Sequence, residues 1–175
     1  NLISGKYWED NKTKFKSDRR VDWYLLKNIE EAISLLEEKK ITREIANKII
    51  GFLIFTRYLV DRKVTLDGKY INNQSVEHAR KSLLTVIRTP AKLIEFYHHV
   101  KDAFNGDLFE LSAGELNEID SKHCEILHLL FQGGAVVKKQ KSLFDIYDFE
   151  IIPVELISNI YERFIGKNKQ SETKA

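Results

Sequence analysis

Glycine and proline, the residues that most often form turns, are scarce in this chain. Its 175 residues include eight Gly and two Pro. An all-β sandwich or barrel needs a turn about every ten residues and would contain more of them. Leu, Ile, Glu and Lys are abundant instead, and on balance these residues favour helices. With 43% hydrophobic residues the chain can also fill a core, so the sequence predicts an all-α fold.

The spacing of apolar residues indicates where the helices lie. Apolar residues recur three and four positions apart over most of the chain, which is the pattern of a buried helix face. The first helix is predicted from Val21 to Glu38. Further helices can begin at Thr42, Ser75, Pro90, Ser112, Asp120 or Ser121, and Pro153. We therefore expect an irregular bundle of six or seven helices.

Three sections of the chain differ in composition. Residues 1–20 are mostly charged or polar and are predicted to be a lead-in or linker. Residues 21–166 carry the helical pattern and form one predicted domain. Residues 167–175 are polar and are expected to be a linker towards a further domain.

The sequence contains no recognisable catalytic motif. It has no glycine-rich phosphate loop and no Gly-x-Ser-x-Gly nucleophile elbow. Cys124 is the only cysteine, so an internal disulfide and a cysteine zinc cluster are excluded, and its apolar surroundings predict a buried, unreactive thiol. His98 and His99 are adjacent, while His123 and His128 are five apart. Neither pair has the spacing to share a metal on one helix face, so we expect structural or solvent-exposed histidines.

No apolar run reaches the roughly 18 residues that a membrane-spanning helix requires. The longest run, Ile49 to Phe55, predicts a buried helix. A single cysteine fits a reducing compartment. The sequence therefore predicts a cytoplasmic protein without a membrane span.

Basic residues form clusters near the start of the chain, in a predicted loop at residues 138–141 and in the polar tail at 167–175. The formal net charge is only +2, and opposite charges are mixed along most of the chain, so charge alone is a weak indication of nucleic-acid binding. The candidates for contact with DNA backbone phosphates are Lys14, Lys16, Arg19, Arg20, Lys138 and Lys139. The alternative is that these residues belong to solvated linkers and serve solubility.

Three blocks of sequence resemble one protein family in their order and spacing. Ile54 to Arg62 (IFTRYLVDR) and Phe104 to Phe109 (FNGDLF) are similar to two signatures of large bacterial adenine-specific DNA methyltransferases. Tyr147 to Glu162 (YDFEIIPVELISNIYE) resembles a third signature and is the most specific of the blocks. The resemblance covers roughly Asp22 to Phe164, which would be the helical region ahead of the methyltransferase core.

This resemblance implies a part of a larger enzyme. The family comprises class I S-adenosylmethionine-dependent enzymes, and in some of them a nuclease is fused to the methyltransferase. Their cofactor-binding glycines and catalytic Asn-Pro-Pro-Tyr motif are absent from this sequence. The chain itself is therefore expected to bind no cofactor and to perform no catalysis, while S-adenosylmethionine is expected in the parent protein. The expected partners are DNA, through the parent, and the flanking methyltransferase and nuclease domains.

The polar residues of the three blocks are predicted to be structural. They are Arg57, Asp61, Arg62, Asn105, Gly106, Asp107, Pro153, Glu155 and Tyr161. The first three should form buried or half-buried ion pairs between helices, because a lone buried charge is costly. The next three should form a turn, and Pro153 with Glu155 should begin the last helix.

Two other functions compete with a connector that positions domains and contacts DNA phosphates. A free-standing helical adaptor for a protein partner would show a large exposed apolar patch without a basic face. An enzyme with an unrecognised site would show a polar pocket in which carboxyl pKa values are strongly shifted.

Overall fold

Six helices make up most of the chain that the structure describes. The computed structural model describes residues 21–104, 109–132, 157–158, 160 and 162, with side chains from residue 25 onward. The helices are α1 (Val21–Glu38), α2 (Arg43–Asp61), α3 (Val76–Ile87), α4 (Pro90–Phe104), α5 (Ala113–Asn117) and α6 (Ser121–Gln132). No strand occurs among the described residues, and the predicted all-α fold is confirmed.

The predicted caps are present at three helix starts. The Thr42 hydroxyl accepts a hydrogen bond from the third N–H of α2 at 3.3 Å, and Ser75 accepts one from His78 at 3.2 Å. At α5 the capping box forms in full. Ser112 caps the N–H of Glu115, whose carboxylate accepts from the N–H of Ser112 at 2.7 Å. These bonds satisfy N–H groups that have no partner within the helix.

Lysine occupies the position after the end of both α1 and α2 where glycine is usual. Lys40 has φ 78° and Lys63 has φ 60°, so both adopt the left-handed conformation. In each case the N–H of the next residue donates to the carbonyl oxygen five positions earlier, at 3.3 Å and 3.0 Å, which is the Schellman ending. The left-handed conformation costs an L-residue roughly 1–2 kcal/mol. Glycine would adopt it at a lower cost.

Helix α2 lies at the centre of the core. Its buried residues occur all round the helix, as its sequence predicts. It packs against α1 and α3, and α6 contacts the same two helices, while α4 packs against α3. Side chains without any exposed area come from all five of these helices, for example Leu25, Leu53, Ile87, Leu93 and Leu127. One core is therefore shared by the long helices of the bundle.

The connection between α2 and α3 is long but held firmly. The Asn73 side chain accepts from the N–H of Leu66 and donates to the carbonyl oxygens of Leu66 and Ile71, at 2.7–3.2 Å. Leu66 and Ile71 are buried. The Tyr70 ring packs against Phe96 of α4 with centroids 5.5 Å apart. This connection therefore extends the core.

The predicted last helix is described only in part. Residues 157, 158, 160 and 162 are helical. Ile160 is buried in the core and Ile157 packs against it. The predicted helix start at Pro153 lies outside the described residues, as do 1–20 and 167–175. Within the described ranges, no helix is both long enough and apolar enough to cross a membrane.

Candidate functional site

A buried ion-pair cluster lies where α2 meets α3. The carboxylate oxygen Oδ1 of Asp61 accepts hydrogen bonds from Nε of Arg57 at 2.9 Å and from Nε of Arg80 at 2.7 Å. The Asp61 side chain is 0% exposed, and those of Arg57 and Arg80 are 5% and 30% exposed. We call these three residues the Asp61 cluster. It joins two helices through charges that salt screens only weakly.

The cluster agrees only partly with the prediction from the first sequence block. Arg57 and Asp61 pair with each other within α2, where they lie four residues apart, whereas ion pairs between helices were expected. The contact between helices is made by Arg80, which was not predicted, because it lies 19 residues from Asp61 and depends on helix packing. Arg62 is exposed, so its expected burial is wrong. Its guanidinium lies 4.6 Å from the centre of the Tyr58 ring, which is a cation–π contact.

The remaining predicted site residues lie outside the described part of the chain. They are the phosphate-contact candidates Lys14, Lys16, Arg19, Arg20, Lys138 and Lys139, and the motif residues Asn105, Gly106, Asp107, Pro153, Glu155 and Tyr161. Their roles stay predictions.

An aromatic pocket of about 260 Å³ opens between α2, α4 and Phe109. The Phe55 ring meets the rings of Phe104 and Phe109 with centroids 6.0 Å and 5.9 Å apart. Lys101 is the one charged residue of its lining, and its Nζ lies 3.3 Å from Glu110. The lining suits an apolar group and offers little for acid–base chemistry.

The described histidines contact separate partners. His98 packs against the Tyr97 ring, whereas the Nε2 of His99 lies 3.2 Å from the carboxylate of Asp67. The two adjacent rings therefore have different surroundings, as their positions on the helix predict. Within the described ranges, no group of three or more His, Cys, Asp or Glu residues is arranged to hold a metal ion.

Cys124 is fully buried on α6. Burial, with a smaller contribution from the charge of Asp120, raises its pKa to about 11. Such a thiol is protonated at neutral pH, and the protonated form is a poor nucleophile. The predicted burial of this cysteine is confirmed.

Where the pKa of a carboxyl group in the described residues departs from its ordinary value, it is lowered. Hydrogen bonds from Lys81 and Lys69 lower the pKa of Glu77 and Glu95, respectively. A backbone hydrogen bond lowers the pKa of Asp120. A catalytic acid at neutral pH needs the opposite shift, so these groups are ion-pair partners and helix caps.

His128 gives the fold a pH dependence. Nε of Arg88 donates to Nε2 of His128 at 3.1 Å, so this nitrogen carries no proton in the folded state. Partial burial and the charge of Arg88 lower the pKa of His128 below 6.5. The unfolded chain therefore takes up this proton more readily than the folded chain. The contribution of His128 to the free energy of unfolding is fully present above about pH 6.5, the pKa of an unfolded histidine. It is lost as the pH falls through the lower pKa of the folded state.

We expect the free energy of unfolding in urea to decrease from about pH 7 to about pH 5. His128→Gln keeps a hydrogen-bond acceptor for Arg88 but cannot gain the proton, so it should flatten this part of the curve. The paired carboxylates lose their contribution at lower pH, because their pKa values lie below 4.5. If the free energy of unfolding fell with pH at the same slope in the wild type and in His128→Gln, His128 would not be the cause of this pH dependence.

The chain has no match among protein-family models, curated proteins or solved structures.

Proposed function

We propose that this chain is the helical connector of an adenine-specific DNA methyltransferase or of a fused restriction–modification enzyme. It holds the flanking methyltransferase domain, and the nuclease domain of a fused enzyme, at a fixed separation and contacts the DNA backbone. The three sequence blocks motivate the family. The Asp61 cluster is the observation that supports the connector role most directly.

The Asp61 cluster favours a rigid spacer. Both arginines bind the same buried oxygen, so a shift of α3 against α2 would separate opposite charges away from water. Breaking a buried pair costs roughly 3–5 kcal/mol, a large share of the about 5–15 kcal/mol that stabilises a domain. A bundle that resists such shifts can transmit the position of one flanking domain to the other.

Catalysis belongs to the parent protein in this proposal. S-adenosylmethionine and the target adenine would be bound by the methyltransferase domain, and the cytoplasm is the compartment in which that enzyme meets its DNA. The described residues contribute helix caps, ion pairs and an apolar pocket, which are suited to support rather than to methyl transfer.

Binding of the chain to a short nonspecific DNA duplex across a salt series tests the DNA contact. Each phosphate contact releases counterions, so log affinity should fall against log salt with a slope of about −0.9 per contact. Ala substitutions at Lys14, Lys16, Arg19 and Arg20 should make the slope shallower. Absence of binding at the lowest salt concentration would refute the DNA-contacting part of the role.

Hydrogen exchange tests the rigidity separately. Amides of α2 and α3 should exchange only through global unfolding, because the Asp61 cluster and the core tie the two helices together. Faster exchange of α3 alone, through a partial opening, would contradict a rigid spacer.

A protein-interaction adaptor is the second candidate, and the aromatic pocket is the observation that favours it. Phe104, in its lining, is 41% exposed. The other large apolar residues exposed in the described ranges are Val64, in the connection after α2, and Leu129, in α6. An adaptor would bind apolar peptides with little dependence on salt and would lose that binding in Phe104→Ser. Steeply salt-dependent DNA binding would favour the connector instead.

A further inference from the structure

We infer that Lys39, Lys40 and Lys122 form a contact surface for the phosphate backbone of duplex DNA. These three residues are called the lysine surface below. The inference rests on the proposed function and deepens it, because it assigns DNA contact to residues of the folded bundle. Three observations support it. The lysines lie at one end of the bundle, they form no salt bridge with the described residues, and two of them occupy positions that are unfavourable for a lysine.

A buried histidine brings the three lysines to one end of the bundle. Nδ1 of His123 accepts from the N–H of Asp120 at 3.0 Å, so its Nε2 carries the proton and donates to the carbonyl oxygen of Lys39 at 3.1 Å. The His123 side chain is only 5% exposed. This bond ties the start of α6, where Lys122 lies, to the end of α1, which Lys39 and Lys40 follow. All three lysines are exposed.

None of the three ammonium groups forms a salt bridge with a carboxylate of the described residues, and the charge of Lys122 makes only a small contribution to the lowered pKa of Asp120. Most other described cations are paired with carboxylates: Arg43, Lys48, Arg57, Lys69, Arg80, Lys81 and Lys101. Of the neighbouring acids, Asp120 accepts from the backbone N–H groups of Lys122 and His123, and Glu38 is exposed. Three ammonium groups are therefore available to an external anion.

Two of these lysines occupy positions that folding alone disfavours. Lys40 adopts the left-handed conformation, with φ 78°, where glycine is favoured. Lys122 lies in the first turn of α6, where the helix dipole disfavours a cation. Neither lysine gains an ion pair within the described residues. The stability of the fold therefore does not account for a lysine at either position.

Backbone phosphates of duplex DNA fit this arrangement. Lysine binds phosphate as a point charge on a flexible stem, so a group of lysines tolerates any base sequence. Contacts to phosphate fix the position of a protein on the duplex without reading its bases. A connector between DNA-modifying domains needs contacts of this kind.

The first experiment compares two triple variants that remove the same charge. The variant Lys39→Gln, Lys40→Gln, Lys122→Gln eliminates the lysine surface, and the control Lys69→Gln, Lys81→Gln, Lys101→Gln eliminates three lysines that have carboxylate partners. In a salt series on duplex DNA, the slope should become shallower by roughly 2–3 in the first variant, because up to three phosphate contacts are lost. The control should retain a slope close to that of the wild type.

A second pair of variants separates binding from folding. Lys40→Gly and Lys63→Gly each remove one charge and relieve one left-handed lysine, so both should raise the melting temperature by about 2–4 °C. Only Lys40→Gly should weaken DNA binding, by a few-fold. If DNA affinity were the same in the two glycine variants, Lys40 would have no role in binding.

The outcomes distinguish this inference from the proposal beneath it. If the wild-type chain does not bind DNA at low salt, this inference and the DNA-contacting part of the proposed function are both refuted. If it binds and the two triple variants have equal slopes, the lysine surface is refuted and the contact lies elsewhere. Binding of anionic lipid vesicles through these lysines, without binding of DNA, would also refute it. The melting temperature of each variant serves as the control for folding. A value no lower than that of the wild type would show that a loss of binding does not reflect unfolding.

Discussion

Asp61→Asn should reduce the free energy of unfolding by roughly 3–5 kcal/mol, because it removes the buried counter-charge of two arginines. Asp61 is fully buried and its Oδ1 serves both Arg57 and Arg80. An amide is similar in shape, but it leaves two guanidinium groups without this negative charge. Urea unfolding at neutral pH measures the loss.

Glu77→Gln is the matched control for this prediction. It also removes one carboxylate that pairs with a cation four residues away, but the side chains of Glu77 and Lys81 are 75% and 69% exposed. Exposed pairs of this kind contribute little to stability, because water and salt screen them. A loss for Asp61→Asn no larger than that of the control would show that the Asp61 cluster does not hold α2 to α3.

A double variant tests the cause of the effect. Arg57→Met with Asp61→Leu replaces the pair within α2 by apolar side chains, and such replacements of buried pairs are often neutral or stabilising. Arg80 is 30% exposed, so its guanidinium can turn towards water. The double variant should therefore recover most of the stability that Asp61→Asn loses. If both variants are equally unstable, the cost comes from disturbed packing and not from unpaired charge.

Interactions between close neighbours in sequence made much of the fold predictable. The predicted bounds of α1, Val21–Glu38, are those of the structure. The caps at Thr42, Ser75 and Ser112 are also present. Each of these features depends on apolar periodicity or on a hydrogen bond across three residues, so a single stretch of sequence contains all the information.

Features that depend on packing between distant segments were not predictable. Nothing in the local sequence pairs Arg80 with Asp61 or places His123 against the carbonyl of Lys39, 84 residues away. Asn28 is 1% exposed, and neither polar atom of its side chain has a hydrogen-bond partner within the described residues. Asn28 lies three residues after Leu25 and four before Ala32, on the buried face of α1, but the spacing does not show that its polar atoms lack a partner there. The lysine surface could not be predicted for the same reason.

Tyr97→Phe should cost about 2–3 kcal/mol, because it leaves two backbone groups without their hydrogen-bond partner. The Tyr97 hydroxyl donates to the carbonyl oxygen of Phe109 at 2.9 Å and accepts from the N–H of Leu111 at 2.8 Å. Tyr97 and Leu111 are both buried, so water cannot readily replace the lost hydroxyl. The measurement is urea unfolding, with hydrogen exchange of the Leu111 amide as a local readout.

Tyr58→Phe provides the matched control for Tyr97→Phe. Tyr58 is half-buried in α2, and its hydroxyl makes no hydrogen bond to the described residues, while its ring still offers a face to Arg62. Its loss of stability should be a few tenths of a kcal/mol at most. Faster exchange at Leu111 in Tyr97→Phe alone would show that this hydroxyl fixes the segment leading out of the aromatic pocket. Equal effects of the two substitutions would mean that Phe109 and the pocket wall are held by apolar packing instead.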